Sequence, residues 1–199
     1  MSDNTFSRRS LIISAAIIPV SAIRTAAAPV PAATALTEGQ LKILDAFTDR
    51  LIPRDENGPG ARDCGASNYI NRVLSDTIAG EKPTIVEGLK ALDAFAVTSQ
   101  GKPFIDLPPD TQDTVLLALE AGQVPGFTPN SRAFFTRIRR LTLEGTFSDP
   151  FYGGNKGFAG WDLIGYPGPR LAVSPEEQRM HVDIKPLHIS VWGGVNNGH

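Results

Sequence analysis

The residues best suited to chemistry in this chain are two carboxylates, Asp149 and Asp162, with the indole of Trp161 beside the second. Two carboxylates can share the roles of general acid and general base, and an indole offers a flat apolar face to a sugar ring. An aspartate before a proline also caps tight turns, and Asp149 precedes Pro150. We therefore favour a turn at Asp149 and a similar polar role for Asp162, with sugar chemistry at this pair as the alternative.

Other chemically capable side chains lack the spacing that their chemistry needs. The run from Gly153 to Gly157 contains a lysine but has neither Walker spacing nor a hydroxyl residue after that lysine. The single cysteine, Cys64, has no nearby histidine or second cysteine and is predicted to be an inert thiol. The histidines match no compact metal motif; they are His181, His188 and His199. We therefore predict no catalytic, cofactor or metal site in this chain.

Composition is that of an ordinary soluble globular protein. The chain has 199 residues, of which 41% are hydrophobic and 20% charged, enough for one domain with its own core. A formal net charge of -2 and a pI near 5.9 give no electrostatic reason to expect nucleic acid or an anionic membrane as a partner.

The N-terminus has the order of parts of a signal peptide. Arg8 and Arg9 precede an apolar stretch over residues 11–23, and an alanine-rich run follows. The stretch is shorter than the ~20 residues that span a bilayer. Paired arginines before a modest apolar region indicate twin-arginine export, with general secretion and an uncleaved anchor as alternatives. Small residues permit cleavage after Ala27 or after Ala32.

Residues 1–35 are therefore predicted to be the signal peptide and a linker, and residues 36–199 a single helical domain. Thr37 starts the first helix with capping-box spacing, and Pro53 stops it. Apolar residues then recur three and four apart in five segments; those predicted to face inward are Leu41, Leu44, Phe47 and Leu51, then Ile70, Val73, Leu74 and Ile78, then Ile85, Leu89, Leu92 and Phe95, then Val115, Leu116 and Leu119, then Phe134, Phe135, Ile138 and Leu141. Short connections between them favour a compact all-α bundle of about five helices.

The second helix is predicted over Ala66–Ile78 and the fifth over Ser131–Leu143. From Gly145 to Arg170 glycines mix with aromatic side chains and no period of 2 or 3.6 persists, which predicts a long irregular segment. Glycine permits close approach of another chain, and aromatic side chains act as interface anchors. The residues predicted to bind a partner are Phe147, Asp149, Phe151, Tyr152, Asn155, Trp161 and Tyr166. The tail is extended in character, and residues 188–192 are predicted to form a short strand or a partner-binding arm.

Two blocks of sequence carry a family resemblance. The first block is Leu51-Ile52-Pro53-Arg54-Asp55 with Gly58 and Gly60, leading into Tyr69-Ile70. The second block is Glu144-Gly145-Thr146-Phe147-Ser148-Asp149-Pro150, then Tyr152-Gly153-Gly154-Asn155, Gly160-Trp161 and Ile164-Gly165-Tyr166-Pro167-Gly168. With the arginine pair, they resemble the gluconate 2-dehydrogenase subunit 3 family over about Leu36 to Arg170.

The resemblance implies a periplasmic heterotrimer that is associated with the membrane through its partner subunits. A large FAD-dependent subunit of the glucose-methanol-choline type oxidises gluconate, glucose, fructose or a related sugar, and a multihaem cytochrome c subunit passes the electrons to the membrane. FAD, haem c and any iron–sulfur cluster belong to those partners.

In such a complex the small subunit is not catalytic. The resemblance implies that it is needed for maturation of the flavin subunit and that it supplies the signal read by the twin-arginine translocase. The alternatives are an independent periplasmic sugar-acting enzyme, working through Asp149, Asp162 and Trp161, and an assembly module for another oxidoreductase.

Overall fold

The computed structural model describes residues 34–170 and 172–192, all within one compact unit, Ala32–His199. Over these residues the chain forms six α-helices and no strand. The helices are α1 (Glu38–Leu51), α2 (Ala66–Val73), α3 (Lys82–Gln100), α4 (Pro109–Glu120), α5 (Ser131–Phe147) and α6 (Ala159–Leu163). The prediction of an all-α fold is confirmed. The predicted export signal, with Arg8 and Arg9, lies outside the described residues.

Helix α1 begins and ends where the sequence predicts. The Thr37 hydroxyl accepts a hydrogen bond from the Gln40 amide, and the Gln40 side chain accepts one from the Thr37 amide, which completes a capping box. The helix ends at Leu51 because Ile52, which precedes Pro53, is restricted to extended backbone angles. Local sequence signals therefore fix both ends of this helix.

Helix α5 lies at the centre of the bundle and packs against α1, α2, α3 and α4. Its Phe134 and Phe135 rings lie 6.2 Å and 5.8 Å from the ring of Phe47 on α1. Gly88 on α3 faces Phe134, and a Cβ atom at Gly88 would overlap that ring. The glycine therefore permits α3 to approach α5 closely, which accounts for a residue that otherwise weakens a helix.

Two helices end at residues other than those predicted. Helix α2 stops at Val73 instead of Ile78, and the polar residues 75–77 form turns in which the Ser75 hydroxyl donates to the Asn71 carbonyl. Such side chains compete with the helical backbone for hydrogen bonds. Helix α5 continues beyond Leu143 to Phe147, passing through Gly145. A Cβ at Gly145 would lie 2.8 Å from the Ala66 Cα, so this glycine serves the crossing of α5 with α2 instead of ending the helix.

In the part of the chain that the structure describes, no helix has both the length and the apolar character needed to cross a bilayer. The longest of them, α3, carries charged residues along its length, including Glu87, Lys90 and Asp93.

Candidate partner-binding surface

Residues 148–170, which we call the clasp, fold back against the C-terminal end of α5. The clasp contains two 3₁₀ turns, Pro150–Tyr152 and Lys156–Phe158, followed directly by α6. The Asn155 amide donates to the Gly145 carbonyl at 2.8 Å, and the Lys156 amide donates to the Cys64 carbonyl at 3.0 Å. Backbone hydrogen bonds therefore join the clasp to α5 and to the loop before α2.

Asn155 holds the clasp together from inside. Its side chain is fully buried, and its backbone is left-handed with φ 44°, a conformation that asparagine tolerates better than most residues. Its Nδ2 donates to the Ser148 carbonyl at 2.9 Å, while its Oδ1 accepts from the amides of Gly160 at 2.8 Å and Trp161 at 3.4 Å. The Asn155 side chain thus joins the beginning of the clasp, at Ser148, to the beginning of α6.

Two glycines allow the clasp to lie directly on the backbone of α5. A Cβ atom at Gly154 would overlap the Gly145 carbonyl, and one at Gly160 would overlap the Thr146 carbonyl. Since both neighbours are backbone atoms of a helix, neither can move aside without disturbing α5. Packing within the chain therefore explains Gly154 and Gly160 of the second sequence block.

The indole of Trp161 is part of the same internal packing. The side chain is 5% exposed, and its Nε1 donates to the Phe147 carbonyl at 2.9 Å. Its ring contacts Phe158 at a centroid distance of 5.3 Å and Tyr166 at 4.8 Å. The structure thus gives Trp161, like Asn155, an internal role, and the contact of these two residues with a partner stays a prediction.

Residues 182–192, which we call the strap, lie without regular secondary structure along the clasp. The Leu187 amide donates to the Pro167 carbonyl at 2.9 Å. The His188 ring stacks on Phe158 with centroids 5.0 Å apart, and its Nε2 lies 2.7 Å from Asp162 Oδ1. The structure contains no strand at residues 188–192, so the predicted strand is wrong, and the partner-binding arm stays a prediction.

The carboxylate of Asp149 joins the clasp to the strap. Its Oδ1 accepts from the Phe151 amide and its Oδ2 accepts from the Val191 amide, both at 2.9 Å. The first bond caps the turn that follows Asp149, in agreement with the interpretation favoured from the sequence. Because Asp149 binds backbone amides and Asp162 binds His188, the two carboxylates serve separate structural contacts and share no hydrogen bond in the described part of the chain.

The outer face of the clasp and strap exposes large apolar side chains. Between the two segments lies an open groove of about 330 Å³, lined by residues that include Phe147, Ile164 and Val191. The exposed apolar residues of both segments range from 38% to 62% exposed; they are Phe151, Tyr152, Ile164, Tyr166, Val182, Leu187, Ile189, Val191 and Trp192. Phe151, Tyr152 and Trp192 contact one another, so this part of the exposed apolar surface is contiguous, as interaction sites are. Of the predicted partner-binding residues, Phe151, Tyr152 and Tyr166 lie on it, and Phe147 and Asp149 are half-buried at its edge.

Two nucleophilic side chains near the clasp, Cys64 and Tyr69, are not activated. Burial, followed by the negative charge of Asp63, raises the pKa of the Cys64 thiol to about 11. Burial and the adjacent Glu144 raise the pKa of Tyr69 to about 12. Both groups are therefore protonated at neutral pH, whereas a reactive thiol needs a lowered pKa.

Two of the four arginines of α5 are paired with carboxylates. Arg137 forms two hydrogen bonds with Glu81, at 2.6 Å and 2.8 Å, and Arg140 lies 2.9 Å from Glu144. Among the residues that the structure describes, no group of three or more histidine, cysteine, aspartate or glutamate side chains is arranged to hold a metal ion.

Arg72 on α2 belongs to the exposed surface but is absent from the residues predicted to bind a partner. Its Nη1 donates to the Phe151 carbonyl at 2.9 Å, across 79 residues of sequence. Its guanidinium carbon lies 5.9 Å from the centroid of the Phe151 ring. No local sequence signal marks this residue, because only the folded clasp brings it to the aromatic side chains.

The fold and surface define a class of protein, a small all-α domain with structural polar residues inside its clasp and an exposed aromatic face. Residues 38–168, more than half of the chain, match the family described as gluconate 2-dehydrogenase subunit 3. The chain belongs to that family, which confirms the resemblance and implies a place in a multisubunit dehydrogenase. Comparison with curated proteins gave no match, and neither did comparison with solved structures. The matched range ends at Gly168, before the strap begins.

Proposed function

We propose that this chain is the non-catalytic small subunit of a periplasmic FAD-dependent sugar or gluconate dehydrogenase. Its partners are a large flavin subunit of the glucose-methanol-choline type and a multihaem cytochrome c subunit, which hold FAD and haem c. The observation that carries this proposal is the family match from the start of α1 to the end of the clasp. The exposed aromatic face supports it, because a subunit needs such a surface to bind another chain.

The hydrogen bonds that the polar side chains of this chain make within the fold support a non-catalytic role. Asp149 and Asp162, the residues of the sugar-chemistry alternative, are each held by contacts that shape the clasp and strap. Trp161 lines the groove but is only 5% exposed, so little of its indole is available to a sugar ring. The thiol of Cys64 is buried and its pKa is raised, which disfavours the thiolate. These residues therefore serve the fold in this proposal.

Export of the flavin subunit is the second part of the proposal. The pair Arg8 and Arg9 before a modest apolar stretch is typical of a twin-arginine signal. The translocase carries proteins that have folded in the cytoplasm, so one signal can serve a partner that has already bound its cofactor. The small subunit then accompanies the loaded flavin subunit into the periplasm.

Co-expression with a candidate flavin dehydrogenase subunit encoded by a neighbouring gene tests this function. The chain carrying both Arg8→Lys and Arg9→Lys is compared with the native chain, and dehydrogenase activity is measured in periplasm and cytoplasm with an artificial electron acceptor. We expect periplasmic activity to disappear and flavoprotein to accumulate in the cytoplasm. The matched control is the pair Arg139→Lys and Arg179→Lys, both exposed residues outside the signal, which should leave export unchanged.

Two results would contradict the proposal. Periplasmic flavin activity that survives the Arg8 and Arg9 substitutions would remove the export role and leave a purely structural subunit. Sugar oxidation by the purified chain alone would show that the independent-enzyme alternative is correct.

A further inference from the structure

One corner of the exposed surface combines aromatic rings from the clasp and the strap with a cation from α2. The Phe151 ring lies 5.4 Å from the ring of Tyr152, edge to face, and 5.7 Å from the ring of Trp192. Arg72 lies against the same ring at 5.9 Å. We call these four residues the aromatic corner. Phe151, Tyr152 and Trp192 are 42%, 40% and 61% exposed, so the corner is ordered by mutual contact while remaining open to solvent.

The charge of Arg72 is not neutralised within the described part of the chain. None of the carboxylates there lies within 4.0 Å of its guanidinium, whereas Arg50, Arg54, Arg137, Arg140 and Arg170 each have such a partner. Its polar contact is with the Phe151 carbonyl, and its side chain is exposed. Placed over the Phe151 ring and held by one hydrogen bond, the guanidinium is pre-organised to bind a carboxylate.

The strap contributes Trp192 to the corner through a fixed connection. Asp149 accepts from the Phe151 amide and from the Val191 amide, so one carboxylate sets the position of residue 151 and of the residue before Trp192. The Ser190 hydroxyl accepts from the Trp192 amide at 3.1 Å, and Ser190 is itself buried. A large side chain held in place by its backbone loses little entropy on binding.

We propose that the aromatic corner is the principal contact with the flavin dehydrogenase subunit. Trp192 enters an apolar pocket of that subunit, and Arg72 pairs with a carboxylate at the rim of the pocket. This inference rests on the proposed function and adds the site. It assigns the anchor of the contact to Trp192 of the strap and not to the buried Trp161 and Asn155. The strap lies outside the range that matches the family. Tryptophan and arginine are the residue types most enriched among interface hot spots.

Affinity measurements with the full chain and the purified flavin subunit used in the co-expression experiment test the inference. We expect Trp192→Ala to weaken binding about thirty-fold, as the loss of one hot-spot side chain does. Arg72→Gln should weaken binding about five-fold and reduce its dependence on salt, because an ion pair is lost. Leu117→Ala, which removes a 63% exposed leucine from α4, is the matched control and should leave affinity unchanged.

The fold of the variants is checked independently of binding. Since Trp192 is mostly exposed, Trp192→Ala should retain the circular dichroism spectrum and melting temperature of the native chain. Trp192→Phe keeps an aromatic ring against Phe151 and should restore most of the affinity. A failure of Trp192→Phe to bind better than Trp192→Ala would overturn the assignment of Trp192 as an aromatic anchor.

The remaining outcomes separate this inference from the proposed function. A native complex that tolerates both Trp192→Ala and Arg72→Gln within two-fold overturns the inference and leaves the proposed function standing. No complex of the native chain with the flavin subunit overturns both. Sedimentation that shows a dimer of the native chain, lost in Trp192→Ala, would overturn the inference by making the corner a contact between two copies of this chain.

Discussion

The helical core and the clasp are both well packed, but different interactions hold them. In the core, Leu44, Leu89 and Ile138 are fully buried by side-chain packing between helices. In the clasp, buried hydrogen bonds from Asn155 and backbone approach at Gly154 and Gly160 dominate. Side-chain packing tolerates small adjustments, whereas hydrogen bonds to fixed backbone groups and glycine contacts demand one residue type at one position. The core therefore follows a periodic pattern, and the clasp depends on a few individual residues.

The largest expected effect comes from the core. Phe47→Ala removes a fully buried ring that lies against Phe134 and Phe135. We expect the free energy of unfolding to fall by about 3–5 kcal/mol, from lost apolar burial and the cavity that remains. Urea denaturation followed by circular dichroism measures this change, with Leu117→Ala as the exposed control, which should stay within about 0.5 kcal/mol. A loss below about 1 kcal/mol for Phe47→Ala would show that the α1–α5 contact does not hold the core.

The core was the part of the molecule most accessible to prediction. Leu44, Ile85, Leu119 and Ile138 are buried as predicted, because the three- and four-residue spacing of apolar side chains reports directly which face of a helix avoids water. The end of α5 was predicted too early. The helix continues through Gly145, and this position is a glycine because Ala66 leaves no room for a larger residue. That constraint appears only when α2 crosses α5.

The sequence predicted that the clasp differs from the helical bundle, but it did not predict the contacts within the clasp. Its glycine and aromatic composition correctly distinguishes it from the bundle, yet composition does not state which residues turn inward. Asn155 and Trp161 bond to Ser148, Gly160 and Phe147, and these pairings depend on the folded backbone. The exposed side chains of the clasp, such as Phe151 and Tyr152, have the same sequence character as the buried ones, so only the structure separates them.

A substitution at Asn155 tests whether the clasp is a unit distinct from the core. Asn155→Gly keeps a residue that accepts φ 44° while removing the side-chain bonds to the Ser148 carbonyl and the Gly160 amide. We expect the clasp to lose about 2–3 kcal/mol of local stability, because buried polar groups are left without partners. Hydrogen exchange measures this loss, as faster exchange at Gly160 and Trp161 while amides of α5 near Ile138 stay protected.

The hydrogen-exchange result for Asn155→Gly decides whether the clasp and the core are distinct units. Equal acceleration of exchange in the clasp and in the core would mean that the two regions unfold as one cooperative unit. Gly160→Ala provides a second variant that keeps Asn155 in the sequence, because its new Cβ would overlap the Thr146 carbonyl and crowd the Asn155 Oδ1 at 3.1 Å. If the clasp is a distinct unit, both variants should affect the same set of amides.

The smallest expected effect lies where the strap meets the clasp, at His188 and Asp162. The two side chains lie 2.7 Å apart but are 45% and 47% exposed, so solvent screens their interaction. A double-mutant cycle of His188→Gln and Asp162→Asn should therefore give a coupling energy below about 1 kcal/mol. The measured quantity is exchange of the Leu187 amide, which is hydrogen-bonded to the Pro167 carbonyl and reports attachment of the strap. A coupling above about 2 kcal/mol would mean that individual polar contacts fix the strap, as they fix the clasp. A small coupling would mean that the strap is attached mainly through backbone hydrogen bonds, from the Leu187 amide to the Pro167 carbonyl and from the Val191 amide to the Asp149 carboxylate.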